Sequence, residues 1–237
     1  MKFDKEVLPY LNGEKFSDGL LIQTVDKVTN PTGRLDFLCD LTENRKVIHV
    51  GFADHIPLIK GKIRNNMWLH KRLVERAKLC IGLDIDGEAV NYVNSNWSYQ
   101  NLFCTDIIKD ELLPVVKENA WDYMVLGEIL EHVDNPIFFL EQILKKYKPY
   151  VKELVITVPN AFDLINLRKI FSHKEFINTD HRYWFTPYTL AKNAMQAGYK
   201  VSEFHYVQTY MPNGFIWKIL VRKYPMIRET IVMIVEL

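Results

Sequence analysis

Apolar residues along this chain fall into short runs that alternate with stretches of helical spacing. "KVIHV" (46–50) reads as a first strand running into Gly51, and "WLHKRLVERAK" (68–78) as an amphipathic helix. "LCIGLD" (79–84) is a second strand, followed by a helix over "GEAVNYVNSNW" (87–97). "NLFCTD" (101–106) is a third strand, "DELLPVVKEN" (110–119) a short helix and "WDYMVLG" (121–127) a fourth strand. A helix over "NPIFFLEQILKKYK" (135–148) has Asn135 as its cap and Pro136 at its first position, where a missing N–H costs nothing. "ELVITVPN" (153–160) is a fifth strand, closed by Pro159. Such runs, apolar on both faces and separated by helices, predict a parallel sheet with right-handed crossovers.

The pattern then changes. Residues 160–185 are polar and aromatic with little periodicity. Beyond them come a helix from "TPYTLAKNAMQAG", with Thr186 as cap and Gly198 as stop, and a strand over "YKVSEFHYVQ". "PNGFIWKILVRKY" reads as a helix and "ETIVMIVEL" as a final strand. Residues 1–45 precede the first strand and read as an N-terminal cap segment with a helix around 33–43; residues 46–237 read as one domain. "DHIPLIKGKIRNN" (54–66) reads as a long loop.

Composition narrows the class. With 237 residues and 48% apolar content the chain can bury one substantial core. Its formal net charge of +1 offers no basic stripe to neutralise phosphates, so no nucleic acid partner is expected. The three cysteines, Cys39, Cys80 and Cys104, form no CxxC pair, which fits a reducing cytoplasm and argues against a zinc site or disulfide framework. The N-terminus has no signal-peptide core, and charges and Pro225 break up the apolar tail, so no membrane insertion is expected. The apolar final segment can serve a homodimer.

In open parallel sheets a ligand sits at the carboxyl ends of the strands, where strand order reverses. Those ends carry Gly51 to His55, Asp84, Asp106, Gly127 to His132, and Pro159 with Asn160. One acid at a strand end is most simply a turn or cap residue. Four successive ends of the same kind point to a site. Asp84 can accept hydrogen bonds from ribose hydroxyls, whereas Asp86 is better placed to cap the next helix. Asp106 can receive an exocyclic amine, with Ile107 as an apolar edge for adenine, or it can simply cap a helix.

These residues resemble the class I S-adenosylmethionine-dependent methyltransferases, over roughly residues 46–236. "VIHVGFADH" stands where that family has an acid and a glycine-rich turn; "GLDID" and "CTDI" are similar to its second- and third-strand acids. "WDYMVLGEILEHVDNP" is the most specific match. The resemblance implies an α/β, Rossmann-like class I methyltransferase fold. Its seven-stranded, mostly parallel sheet would end in an antiparallel C-terminal hairpin and carry helices on both faces. It implies S-adenosylmethionine as cofactor and S-adenosylhomocysteine as product. The cofactor-binding residues would be Gly51, Phe52, Ala53, Asp54, Asp84, Ile85, Asp106, Ile107, Gly127 and Glu128. His49, Ala53 and His55 replace the usual acid and the second and third glycines, so Asp54 or His55 would have to hold part of the cofactor. Within the superfamily, the sequence resembles a branch associated with bacterial capsule and surface-polysaccharide biosynthesis. That branch implies methylation of oxygen, with nitrogen as the second choice, on a small polar acceptor: a sugar, a sugar nucleotide or a capsule-precursor phosphate derivative.

His132, beside Glu128 and Glu131, is the first choice for a base or acceptor-orienting group; a helix-start histidine bonded to backbone is the plainer reading. In "NTDHRYWFTPYTL", His181 is the second catalytic candidate, and Asp180, Tyr183 and Trp184 are candidates for binding the acceptor. The aromatics can equally plug the end of the sheet. The Asp–His pairs at 54–55 and 180–181 supply enough groups for a metal, but no i, i+4 pairing supports one, and none is expected. Two alternatives compete: a non-catalytic binding subunit of the same fold, and an NAD-dependent oxidoreductase. The second would need a fuller glycine turn to let a pyrophosphate approach the backbone.

Overall fold

The computed structural model describes residues 1–237. The chain forms two compact units, one of residues 35–127, 142–155 and 237, the other of residues 1–34, 128–141 and 156–236.

The first unit holds the parallel strands β1 (Lys46–Val50), β2 (Leu79–Asp84), β3 (Leu102–Cys104) and β4 (Trp121–Gly127). β1 lies between β2 and β4, with Ile48 opposite Ile81 on one side and opposite Met124 on the other. Chain order therefore reverses at β1, which places a crevice outside the carboxyl ends of β1 and β4. Val47, Ile48, Ile81, Leu83, Met124, Val125 and Leu126 are buried, as strands covered on both faces require. Asp86 caps the helix Gly87–Asn96 by accepting from the backbone N–H groups of Glu88 and Ala89.

Strand β5 (Val151–Pro159) contributes residues to both units. In the second unit, β6 (Lys200–Val207) runs antiparallel to β7 (Thr230–Glu236). The helix Pro187–Gln196 starts with a reciprocal capping box between Thr186 and Thr189. Arg228 is buried and donates to the carbonyls of Thr29, Tyr206 and Val221. The seven strands follow the order β3-β2-β1-β4-β5-β7-β6. This is the expected class I methyltransferase arrangement, with its antiparallel end hairpin. No helix is long and apolar enough to cross a membrane.

Two segments differ from expectation. Residues 54–66 are not a long loop: Ile56–Arg64 is a helix that buries Ile59 against Phe52, Trp68, Val90 and Val93. Pro57 in its first turn and Gly61 in its interior hide it from a propensity reading. Leu164–Ile170 is likewise helical inside the stretch that looked irregular, anchored by buried Leu164 alone. The N-terminal helix around 33–43 is present as Arg34–Leu41.

Gly82, inside β2, has a packing reason. A Cβ there would lie 2.8 Å from the Leu102 side chain and 2.8 Å from ring atoms of Phe52. Phe52 is buried in the turn after β1, so Gly82→Ala pushes against that turn. Thermal denaturation should show a loss of about 1–3 kcal/mol, the usual cost of overpacking. An unchanged Tm would mean that Phe52 yields freely.

Candidate functional site

In the first unit the turn after β1 is built without the usual glycines. Gly51 has φ 66°, the left-handed region where a side chain is strained, so it keeps its role. Beyond it the turn is held by side chains. Ala53 N–H donates to Asp84 Oδ2 at 2.9 Å, and Trp68 Nε1 donates to the Phe52 carbonyl at 2.9 Å. Asp54 is committed to an ion pair with Lys62 and to the backbone N–H of His55. His49, at the position of the family's acid, is buried against His70, with their Nδ1 atoms 3.2 Å apart.

Asp84 is the pivot of this end of the sheet. It is 8% exposed and also accepts from the Asp86 N–H at 3.0 Å through Oδ1. Burial pushes its pKa up, while the N–H donors of Asp86 and Ala53 oppose that rise. A carboxylate offers about four lone-pair sites, and the backbone N–H groups of Ala53, Asp86 and Ile85 do not use them all, so capacity remains for a ligand's hydroxyl. Ile85 is exposed beside it and can lie against an aromatic ring. Asp106 is arranged differently. Its Oδ1 accepts from the N–H groups of Ile108 and Lys109, as the capping alternative expected. Burial raises its pKa, but those bonds and the Lys109 charge outweigh it and leave the group below the ordinary value. Ile107 is buried, and its carbonyl accepts from Lys146. The residues present fit an adenosyl cofactor at Asp84 and Ile85 best; Gly127 closes β4.

The second unit carries a different cluster. Glu128 adopts φ 57°, and its Oε1 accepts from the Thr157 hydroxyl at 2.9 Å. Glu131 is fully buried, and neither carboxyl oxygen has a hydrogen-bond partner. Burial and the Glu128 charge push its pKa up to about 8. His132 Nε2 and His181 Nε2 each lie 4.0 Å from Glu131 Oε1. Burial, then the neighbouring His132, lowers the pKa of His181.

Sequence separation between 132 and 181 is overcome by a set of local ties. The Arg182 N–H donates to the Glu131 carbonyl at 2.8 Å, and its guanidinium pairs with Asp134 at 2.9 Å and reaches the His132 carbonyl. Tyr183 Oη donates to the Asp134 carbonyl at 2.7 Å. Trp184 sits with its ring centre 6.1 Å from that of His181, and Asp180 contributes its carbonyl to His132 Nδ1 at 3.1 Å. Asp180 and His181 thus have separate roles and form no dyad. Glu131 and Arg182 were missed as site residues; "EILEH" places Glu131 next to His132, but nothing local marks it as buried.

A family model described as a methyltransferase domain matches residues 65–203, more than half of the chain. The chain belongs to this family. It carries a methyltransferase domain. A search of the curated proteins found no match. Among solved structures, the small RNA methyltransferase HEN1 superposes with a TM-score of 0.56 at 17% identity over 93% of this methyltransferase. The match spans only 27% of the HEN1 chain. Magnesium protoporphyrin IX methyltransferase (ChlM) from Synechocystis PCC 6803, solved with bound SAH, gives a TM-score of 0.52 at 13% identity. That match covers 85% of this chain and 81% of ChlM. At these identities the likeness speaks to the fold.

Proposed function

We propose that this methyltransferase O-methylates a small polar acceptor, a sugar, sugar nucleotide or capsule-precursor phosphate derivative, whose hydroxyl is received by Glu131, His132 and His181. The observation that carries the reading is the tautomer of His132. Its Nδ1 lies 3.1 Å from the Asp180 carbonyl, which can only accept, so Nδ1 holds the ring proton and Nε2 keeps its lone pair. That lone pair is available to an acceptor O–H. The resemblance of the sequence to the surface-polysaccharide branch supports a sugar. A polymeric acceptor such as RNA fits less well, because a net charge of +1 supplies little attraction for a phosphate chain.

Bound at Asp84, S-adenosylmethionine supplies a methyl group already activated on its sulfonium. The acceptor O–C bond forms as the C–S bond breaks, sulfur keeps the electron pair, and the hydroxyl proton passes to the basic cluster. Alignment and exclusion of water are the remaining tasks of the chain. Tyr183, Trp184 and Asp180 border the cluster that takes the acceptor.

The test is methyl incorporation into a panel of sugar nucleotides, read by mass spectrometry. A mass gain of one methylene on at least one of them is expected. His132→Ala should hold its affinity for S-adenosylhomocysteine within about threefold while turnover falls roughly 100-fold or more, the usual worth of such a group. Unchanged turnover would remove His132 from the reaction.

A further inference from the structure

Glu131 sets an electrostatic problem that its protein neighbours leave unsolved. A wholly buried carboxyl with two unpartnered oxygens is among the costliest groups a fold can carry. The Nε2 atoms of His132 and His181 both lie 4.0 Å from Oε1, beyond hydrogen-bond reach. One ligating atom from each of the three residues lies within 4.8 Å of the others. His132 presents a lone pair, because its proton is held on Nδ1 by the Asp180 carbonyl. His181 Nδ1 is buried without a partner. A single proton cannot bridge gaps of this size. A cation at the centre can.

We propose that Glu131, His132 and His181 form a binding site for a first-row divalent transition-metal ion. Two imidazoles and one carboxylate favour manganese, cobalt or zinc over magnesium or calcium, which prefer oxygen ligands. Metal–ligand bonds of about 2.0–2.2 Å set ligand atoms roughly 3–3.5 Å apart, so the cluster contracts by about an ångström on loading. Side-chain rotation of half-exposed His132 supplies that movement. The supporting shell is in place: the Asp180 carbonyl orients His132, and Arg182 ties the segment carrying His181 to the Glu131 carbonyl. Glu128 adds negative charge close by.

Three protein ligands leave coordination positions open. Resting on the proposed function, one of them takes the acceptor hydroxyl, whose acidity the ion raises. The Nε2 lone pair of His132 cannot hold the ion and take a proton at once, so with the ion bound His132 serves as a ligand in place of a proton acceptor, and the hydroxyl proton leaves to solvent.

The experiment starts from the full chain stripped with chelator and titrated calorimetrically with Mn²⁺ alone. Saturable binding near one ion per chain is expected, weakened at least tenfold in Glu131→Gln and in His181→Ala, with S-adenosylhomocysteine affinity unchanged in both. Spin-echo spectroscopy of the Mn²⁺-loaded wild type, which needs no variant, should show coupling to imidazole nitrogens. No saturable binding of Mn²⁺, Co²⁺ or Zn²⁺, or the absence of nitrogen coupling, overturns the site. If Mn²⁺ binds with nitrogen coupling but no sugar nucleotide is methylated, the site stands and the acceptor reading fails. Methylation that proceeds unimpaired in chelator overturns the ion's role in the reaction.

Discussion

Asp84→Ala should weaken saturable binding of S-adenosylhomocysteine by at least about 100-fold. Hydrogen bonds to a charged acceptor contribute about 1.5–3 kcal/mol each, and a ribose engages the carboxylate through two hydroxyls, so the loss exceeds two decades in Kd. A second effect adds to this. Asp84 accepts from Ala53 N–H at 2.9 Å and from Asp86 N–H at 3.0 Å, so the same oxygens fix the turn after β1 and the start of the next helix. Alanine leaves both donors unpaired, and the turn that lacks its second and third glycines loses the bond that shapes it. Asp84→Asn separates the two contributions. It keeps one oxygen but turns an amide toward a backbone donor, so binding weakens while thermal stability falls less than in Asp84→Ala. If both variants bind like wild type, Asp84 has no part in holding the adenosyl group.

Acidification should unfold the protein from within the first unit. His70 is fully buried, and burial drives its pKa to about 3. Its ring faces His49, Phe52, Trp68 and Tyr99, and none of these carries a negative charge to hold a proton on it. The unfolded chain protonates this histidine near its ordinary 6.5, so between 6.5 and about 3 the unfolded state binds the extra proton. Stability from His70 is therefore complete above 6.5 and is lost as pH falls toward 3. Over that span the loss is worth roughly 5 kcal/mol, a large share of a typical domain's stability. Urea unfolding at stepped pH should show the midpoint falling steeply below 6.5. His70→Gln, which keeps a polar partner for His49, should begin less stable at neutral pH and give a flatter profile. Parallel profiles for the two proteins would place the acid sensitivity elsewhere.

Much of the fold was legible because the strands announce themselves. "KVIHV", "LCIGLD" and "WDYMVLG" coincide with β1, β2 and β4 residue for residue, since strands buried on both faces are continuous apolar runs. The caps at Asp86, Asn135 and Thr186 were legible for a similar reason: side-chain oxygens at helix starts act locally. Ile56–Arg64 was not, because one buried face carried by Ile59 is too little signal beside Pro57 and Gly61.

The site divides the same way. The positions of Asp84 at the tip of β2 and of His132 just beyond β4 were legible from the strand pattern. The burial of Glu131 was not legible, because the residues gathered around it, Arg182 and His181 among them, lie some fifty residues away in the chain. The replacement of the family's acid by His49 looked like a loss for the cofactor. In the fold it is a packing exchange, with His70 taking up the other half of the pair. Side chains that compensate one another across the chain leave no periodic trace in a single sequence.

A structure of the protein with S-adenosylhomocysteine bears most directly on the central claim. The account predicts both ribose hydroxyls within hydrogen-bond distance of the Asp84 carboxylate, with the adenine against Ile85. An adenosyl group bound elsewhere, with Asp84 bonded only to the backbone of Ala53 and Asp86, would contradict it.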